Sequence, residues 1–554
     1  VSGVAVNTDE NLLVCAPTGA GKTNIALMCI TRCLDSGLKA VFISPQKALV
    51  QEQVEVLQSR LQEHHVCELS GDSAMSRFEL SAMDVIVATP EKWDIVSRKK
   101  TNIELLRKIG LVVIDEIHLL HDEQRGGIIE NVVLRHRGLS SRLVGLSATL
   151  PNYNEVGEFL AVPTSGLFFF DSRFRPVPLR QQFLGVYHHS FTVQKEYMNL
   201  ACIQKVREIS IDSRKQTLIF VHSRKDTADL RNIILNETSL DENEIGIHHA
   251  GMSKDKRALS EALFREGEMR VLVCTATLAW GMNLPAAAVI IKGTQIYNPS
   301  SGSYQQLRPQ DILQMLGRAG RPGYDSEGLG VIITTRDCLG YVASAASLSL
   351  PIESHLMYRI VDSINAEVVL NNIRDVETGK NWLENSFWAT RWRADPFTYG
   401  DRIRLADIIH SVFLKLQTIG VATYEYPNVR STGQGELAAN FYITPESLSS
   451  YAHKLQPWFS STNIIKLFAS SKEFESLTVR PGENGILSDL INLVPIPVES
   501  GEGTSNLSAS SKISVLLQAY IGRLSLSSTT LQNDTVYIAQ SASRLMRAIF
   551  ELSV

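Results

Sequence analysis

Ala16-Pro17-Thr18-Gly19-Ala20-Gly21-Lys22-Thr23 follows a short apolar run, Leu12 to Cys15, and precedes a stretch of helical pattern. This order of strand, glycine-rich loop and helix leaves few folds open. Gly19 and Gly21 let the backbone approach an anion, and the amide N–H groups at the start of the next helix face it. Lys22 is placed to neutralise β- and γ-phosphates, and the Thr23 hydroxyl to meet magnesium. Such a loop belongs at the carboxyl end of a buried parallel strand.

More strands of the same kind follow. Val41 to Ser44, Val85 to Thr89, Leu111 to Ile114 and Leu143 to Leu146 are apolar runs separated by helical stretches. They predict an α/β lobe around a parallel sheet. Arg173 to Leu179, with two prolines, reads as a linker. Leu218 to Val221, Val271 to Cys274, Val289 to Ile291 and Gly330 to Thr334 predict a second lobe of the same architecture. Beyond about residue 350 the pattern becomes helical. Arg402 to Gln417 is amphipathic, and Val421–Tyr426 with Leu437–Thr444 reads as a strand pair, so a winged helix is expected. The expected division is 1–175 and 176–347 for two RecA-like lobes, 348–452 for a winged helix and 453–554 for a helical bundle.

Asp115-Glu116-Ile117-His118 stands at the end of a predicted strand. Asp115 is suited to hold magnesium, Glu116 to polarise an attacking water, and His118 to sense the other lobe. An acidic pair after a strand is often only a solvated strand end; its partnership with the phosphate loop favours the functional reading. Gln314-Met-Leu-Gly-Arg318-Ala-Gly-Arg321 completes an NTPase toolkit. Arg318 and Arg321 are three apart and are expected on one helical face, with Gln314 a turn earlier, to stabilise charge on a γ-phosphate. A salt-bridged surface helix is the rival reading, and Gly317 and Gly320 weaken it.

These motifs occur in the order of superfamily 2 DExH-box helicases. Thr89-Pro90-Glu91-Lys92-Trp93, Ser147-Ala148-Thr149 and Thr275 to Asn283 fill the intervening positions. Phe174-Arg-Pro-Val-Pro-Leu179, His248-His-Ala-Gly-Met252 and Trp280-Gly-Met-Asn-Leu-Pro285 resemble the superkiller-like branch. The wording around Asp115 and Ser147, with Val494–Val498, Leu516–Ile521 and Gln540–Leu545, is most similar to its spliceosomal members. The resemblance covers nearly the whole chain. It implies ATP and Mg2+ as cofactors and 3′-to-5′ RNA unwinding, of a U4/U6 small nuclear RNA duplex, among spliceosomal proteins in the nucleus. It implies that Pro17 to Thr23, Gly281 and Asn283 touch nucleotide, and that Ser147 and Thr149 couple nucleotide state to RNA grip. Pro45, Gln46, Lys47, Thr89 and Pro90 in one lobe, and Ser223, Arg224 and Thr275 in the other, would line the RNA track. Gly293 to Leu307 would form a duplex-splitting hairpin, and Tyr537–Leu552 a ratchet helix with Ser541 and Arg544 on RNA. An adenine-reading glutamine motif is not evident upstream. Two alternatives stay open: a related helicase acting on ribosomes, messenger RNA or DNA, in the cytoplasm for example, and a nucleotide-binding scaffold for partner proteins.

Composition narrows the classes further. The 554 residues are 44% hydrophobic and 20% charged, with net charge −4. That suits several globular domains and is no uniform polycation, although a local basic channel is compatible with it. No apolar run approaches a membrane span. The seven cysteines show no paired metal-ligand spacing; Cys29 and Cys33, one turn apart, read as packed thiols. Arg98-Lys99-Lys100 reads as a solvated loop, and Trp382, Trp388 and Trp392 as core. The chain, which begins without Met, is expected to be a fragment.

Overall fold

The computed structural model describes residues 1–553 apart from 71–74, 212–214, 277, 279–283, 299–302, 348–349, 401–403, 481, 499–506 and 527. The expected nucleotide contacts Gly281 and Asn283 lie outside the described residues. Two compact units are formed. The first comprises Val1–Trp93, Arg107–Ile129 and Arg135–Ser354; the second comprises Asp94–Leu106, Glu130–Leu134 and His355–Val554.

The first unit holds two parallel sheets. Strands β1 (Leu12–Cys15), β2 (Lys39–Ile43), β3 (Val66–Leu69), β4 (Val85–Ala88), β5 (Ile109–Ile114), β6 (Arg142–Ser147) and β7 (Leu167–Phe169) pair in the order β3-β4-β2-β5-β6-β1-β7. The central strands are continuous apolar runs because both of their faces are covered by helices. β1, β4 and the last four residues of β5 are buried throughout. In the second sheet, β8 (Leu179–Val186), β9 (Thr217–Val221), β10 (Ile245–His248), β11 (Val271–Thr275), β12 (Ala288–Lys292) and β15 (Gly328–Thr335) pair in the order β10-β11-β9-β12-β15-β8. Between β12 and β15 the chain makes an antiparallel hairpin, β13 (Gln295–Asn298) with β14 (Ser303–Gln306). This is the hairpin that the Gly293–Leu307 pattern led us to expect.

Four strands of these two sheets were not expected, and all four, β3, β7, β8 and β10, lie at sheet edges. β8 is never fully buried and alternates between exposed and half-buried positions. β3, β8 and β10 are interrupted by polar or glycine positions and β7 is only three residues long, so none shows the longer apolar run by which a buried strand is recognised. The supposed linker is short: a 3-10 turn spans Ser172–Phe174 and β8 begins at Leu179.

In the second unit, helices Ile360–Val369, Val376–Glu384, Phe387–Ala394 and Leu405–Ile419 surround one apolar core. Leu405, Ile409, Val412, Phe413 and Leu416 of the amphipathic helix are buried there. A two-stranded wing follows, β16 (Ala422–Glu425) paired with β17 (Asn428–Ser431). Here one expectation fails. The partner of the first wing strand is residues 428–431, and Gly433–Phe441, which overlaps the segment read as a strand, is a helix. Its start is capped by Thr432, whose hydroxyl accepts from the Gly435 amide at 3.2 Å, and the following Glu-Leu-Ala-Ala run favours helix. A last group of helices, ending with Thr529–Ser553, packs around a separate core containing Phe468, Leu516 and Leu545.

A second expectation fails at Arg98. Its side chain is fully buried instead of solvated. Asp94, also fully buried, accepts from Arg98 at 2.6 Å, and Asp362 accepts at 3.2 Å. The guanidinium lies 4.3 Å from the Tyr442 ring centroid, and Arg544 and Arg359 sit over the same ring at 5.4 and 5.8 Å. Two carboxylates and an aromatic face thus replace the water that a buried guanidinium loses. Trp388 is core as expected, and Trp382 and Trp392 are half-buried against it.

Candidate active site

Three neighbouring strands of the first sheet, β5, β6 and β1, end at one edge. The phosphate loop follows β1, and the Ala16 amide donates to the Ser147 carbonyl at 3.1 Å. Gly19 and Gly21 both have left-handed backbone, φ +84° and +85°, which a Cβ would strain. Helix Lys22–Asp35 begins at Gly21 without a side-chain cap, so its first amides stay available to an anion. The Lys22 ammonium folds back on its own loop, donating to the Ala16 and Pro17 carbonyls at 2.8 and 3.2 Å. Thr23 is half-buried in the first turn.

Asp115 follows β5, and its amide donates to the Ile43 carbonyl. Burial first, then the neighbouring Glu116 carboxylate, push its pKa up to about 7, while Lys22 opposes. A carboxylate in such a place needs a cation to ionise fully. Glu116 has left-handed backbone, φ 51°, unusual for a residue with a Cβ. Its carboxylate lies 3.3 Å from His118 Nδ1, and the same nitrogen is 3.3 Å from Ser147 Oγ. Burial lowers the His118 pKa, and Glu116 is the main opposing influence. A chain running from the half-buried Glu116 through the buried His118 to Ser147 therefore joins the acidic motif to the end of β6. Thr149 is buried two residues further on, and Asn152 holds that loop by exchanging hydrogen bonds at 3.1 Å with both the amide and the carbonyl of Ile352.

The second sheet contributes to the same crevice. Thr18, Glu116, His118 and Thr149 line it together with Gln310 and Gln314 of helix Pro309–Gly317. The amide oxygen of Gln314 is buried there without a hydrogen-bond partner among the described residues, as suits a group awaiting a ligand. A Cβ on Gly317 would lie 3.1 Å from Thr18 Oγ1, so this glycine permits the phosphate loop and the helix end to meet. Arg318 is half-buried; burial lowers its pKa, and Glu116, then Glu52, oppose that.

Arg321 departs from expectation. The helix ends at Gly317, and Gly320 turns the chain with φ +93°. Arg318 and Arg321 therefore share no helical face. Arg321 forks onto Asp325, with Nε and Nη2 at 2.9 and 3.0 Å, and reaches Gln216 Oε1 at 3.1 Å. The structure brings Lys22, Asp115, Glu116, His118, Ser147, Gln314 and Arg318 together, and leaves Arg321 tied within the second lobe.

Two arginines gained no role from sequence alone. Arg308, just before helix Pro309–Gly317, pairs with Asp122 from the acidic-motif segment and with Asp311 at 2.9 Å. Arg175, in the short connector, donates to the Leu316, Gly317 and Ala319 carbonyls at 2.6–3.3 Å. It thereby satisfies carbonyls that the end of that helix exposes. The available signal was Asp122 itself, the last residue of the run beginning at Asp115.

The residues expected on RNA occupy the same edge of each sheet. Pro45, Gln46 and Lys47 follow β2, and Thr89 and Pro90 follow its neighbour β4. Arg125 ties these loops, donating to the Pro45 carbonyl at 2.9 Å and pairing with Glu91 at 3.0 Å. Ser223 and Arg224 follow β9, and Thr275 ends its neighbour β11. Ser223 caps helix Arg224–Glu237 through the Asp226 amide. In the second unit Ser541 is buried, and Arg544 donates to Ser541 Oγ at 2.9 Å and to the Tyr442 carbonyl.

These residues fit a magnesium–nucleoside triphosphate. Lys22 and the open helix start suit the phosphates, Thr23 and Asp115 suit a hard cation with oxygen ligands, and the cation would supply electrophilic polarisation of the terminal phosphate. Among the described residues no cluster of His, Cys, Asp and Glu suits another metal, all seven cysteines are free thiols, and no helix is long and apolar enough to cross a membrane.

The order of the domains is matched in known proteins. A DEAD/DEAH box helicase model matches residues 4–156, a helicase conserved C-terminal domain model residues 200–323, and a Sec63 Brl domain model residues 431–554. The pre-mRNA-splicing factor brr2 of Schizosaccharomyces pombe is 42% identical over all of this chain and 28% of its own length. The human U5 small nuclear ribonucleoprotein 200 kDa helicase is 40% identical over 99% of this chain and 28% of its own. An activating signal cointegrator 1 complex subunit 3-like protein of Dictyostelium discoideum is 41% identical over 99% and 27%. The chain thus spans little more than a quarter of the length of these relatives. With both helicase models in order, the Sec63 Brl model behind them and this identity along its whole length, the chain belongs to the DExH-box helicase family.

Proposed function

We propose that this chain is an ATP-dependent RNA helicase that translocates 3′ to 5′ and separates the U4/U6 small nuclear RNA duplex, as part of a spliceosomal assembly in the nucleus. The observation that carries the reading is the crevice where Thr18 and Glu116 of the first lobe meet Gln314 of the second, with Arg318 close enough for Glu116 to stabilise its charge and Lys22 close enough to act on Asp115. In this reading Lys22 and the loop amides bind phosphate, and Thr23 and Asp115 hold Mg2+. Glu116 orients the attacking water and takes its proton. Gln314 and Arg318 meet charge on the terminal phosphate. Because both lobes supply groups, bound nucleotide favours the closed arrangement, and hydrolysis releases it. The Glu116–His118–Ser147 chain is the route by which the cleft acts on the RNA-facing loops. Those loops line the C-terminal edges of both sheets with phosphate- and sugar-binding groups, which carry little sequence information. The names of the relatives, a pre-mRNA-splicing factor and a U5 small nuclear ribonucleoprotein helicase, support the splicing assignment.

Glu116→Gln tests the catalytic half of the proposal. ATP hydrolysis should fall by about 10²–10⁴-fold, the worth of a positioned base, with ATP binding retained. Hydrolysis by the variant at the wild-type rate would remove Glu116 from the chemistry, and ATP binding without hydrolysis by the wild type would assign the crevice to a nucleotide-binding scaffold instead.

A further inference from the structure

The second sheet contains a place where its order reverses. From β9 the chain runs outward to β10 and returns through β11 on one side, then continues through β12 and β15 on the other. In open α/β sheets the crevice beyond the strand ends at such a reversal is where ligands bind. Here it is a cavity of about 490 Å³, walled by helix Phe191–Ser210, the ends of β9, β12 and β15, and the β13–β14 hairpin. That volume is in the range of small-molecule sites. It shares no lining residue with the crevice around Glu116.

The lining chemistry is selective. The charged groups among the described lining residues are Lys195, Lys225, Lys292 and Asp226, so the cavity is net positive. Asp226 holds Lys195 at 2.5 Å, and Asn199 holds Lys292 at 2.5 Å, while Lys225 stands exposed at the rim. Two aromatic rings from different elements meet at the same cavity. Phe191 opens the helix and Tyr304 lies on the hairpin; they are 59% and 54% exposed, with centroids 5.5 Å apart and planes tilted by 42°. Exposed aromatic faces beside ammonium groups suit a planar heterocycle that carries a phosphate. Ser223, already assigned to RNA, lies on the same wall.

We propose that this cavity takes up one unstacked nucleotide, its base against Phe191 and Tyr304 and its phosphate toward Lys225. The preferred source is an unpaired nucleotide of the RNA strand at the foot of the hairpin, which rests on the helicase reading; a free nucleoside phosphate has the same chemistry.

The test titrates the chain into single-stranded RNA carrying 2-aminopurine, and separately into 2-aminopurine riboside monophosphate. Phe191→Ala and Lys225→Glu are compared with wild type, both at exposed positions that leave the apolar cores intact. Quenching of the RNA probe, with affinity weakened about five- to a hundredfold by Phe191→Ala, supports the RNA source. Quenching of the monophosphate alone, with the same sensitivity, supports the pocket with a free nucleotide as its ligand. RNA bound with equal affinity by all three proteins, with no Phe191-dependent fluorescence change in either arm, overturns the pocket and leaves the helicase reading intact. Failure to bind RNA at all, with no ATP hydrolysis, overturns the helicase reading, and the monophosphate arm then decides the pocket alone.

Discussion

Arg318→Ala is expected to lower ATP turnover by about 10³–10⁵-fold, the usual worth of an arginine that meets developing charge on a transferred phosphoryl group. Mg–ATP affinity should change far less. The argument is electrostatic and geometric. Arg318 is half-buried, Glu116 is the first acid to stabilise its charge, and Gln314 of the preceding turn lines the same crevice as Glu116 and Thr18. A preorganised cation in a water-poor site acts more strongly on the transition state than on bound substrate. Steady-state turnover and equilibrium nucleotide binding separate the two effects. Equal losses in both would make Arg318 a substrate-binding group only.

Arg98→Ala should destabilise the second unit by about 3–5 kcal/mol, the cost of removing one partner from a buried ion pair. Both Arg98 and Asp94 are fully buried, and Asp362 is 12% exposed. The substitution removes the guanidinium that pairs with Asp94 at 2.6 Å, leaves Asp362 with Arg359 at 3.4 Å, and takes from the Tyr442 ring its nearest guanidinium. A denaturant titration followed by far-ultraviolet circular dichroism reads the shift. Lys99→Ala, at the half-buried neighbouring position, should move the transition by no more than about 1 kcal/mol. Equal small shifts for both variants would return the segment to the solvated loop that its basic composition suggested.

These two arginines also show what the sequence could convey. The phosphate loop and the acidic motif were legible because each follows an apolar run that only a buried strand explains, and Leu12–Cys15 and Ile109–Ile114 are such strands. Gln314 and Arg318 were legible through their order among the other motifs. The shared helical face of Arg318 and Arg321 was not, because it assumed a continuous helix where Gly320 adopts φ +93°. The burial of Arg98 was invisible because Asp362, its partner, is 264 residues away. The wing was misregistered because Glu436 to Phe441, apolar on most positions, has both a strand-like and a helical reading. The Thr432 cap decides for the helix. Arg308 and Arg175 escaped notice because their partners, Asp122 and the carbonyls of residues 316–319, lie far off in the chain.

The central claim is that ATP hydrolysis in the crevice between the two sheets drives strand separation. It is tested most directly by offering the chain an RNA duplex with either a 3′ or a 5′ overhang, with Mg–ATP, and comparing wild type with Glu116→Gln. The account predicts unwinding from the 3′ overhang only, lost in the variant although RNA and ATP still bind. Hydrolysis of ATP without separation of either duplex, or separation that persists in Glu116→Gln, would contradict it.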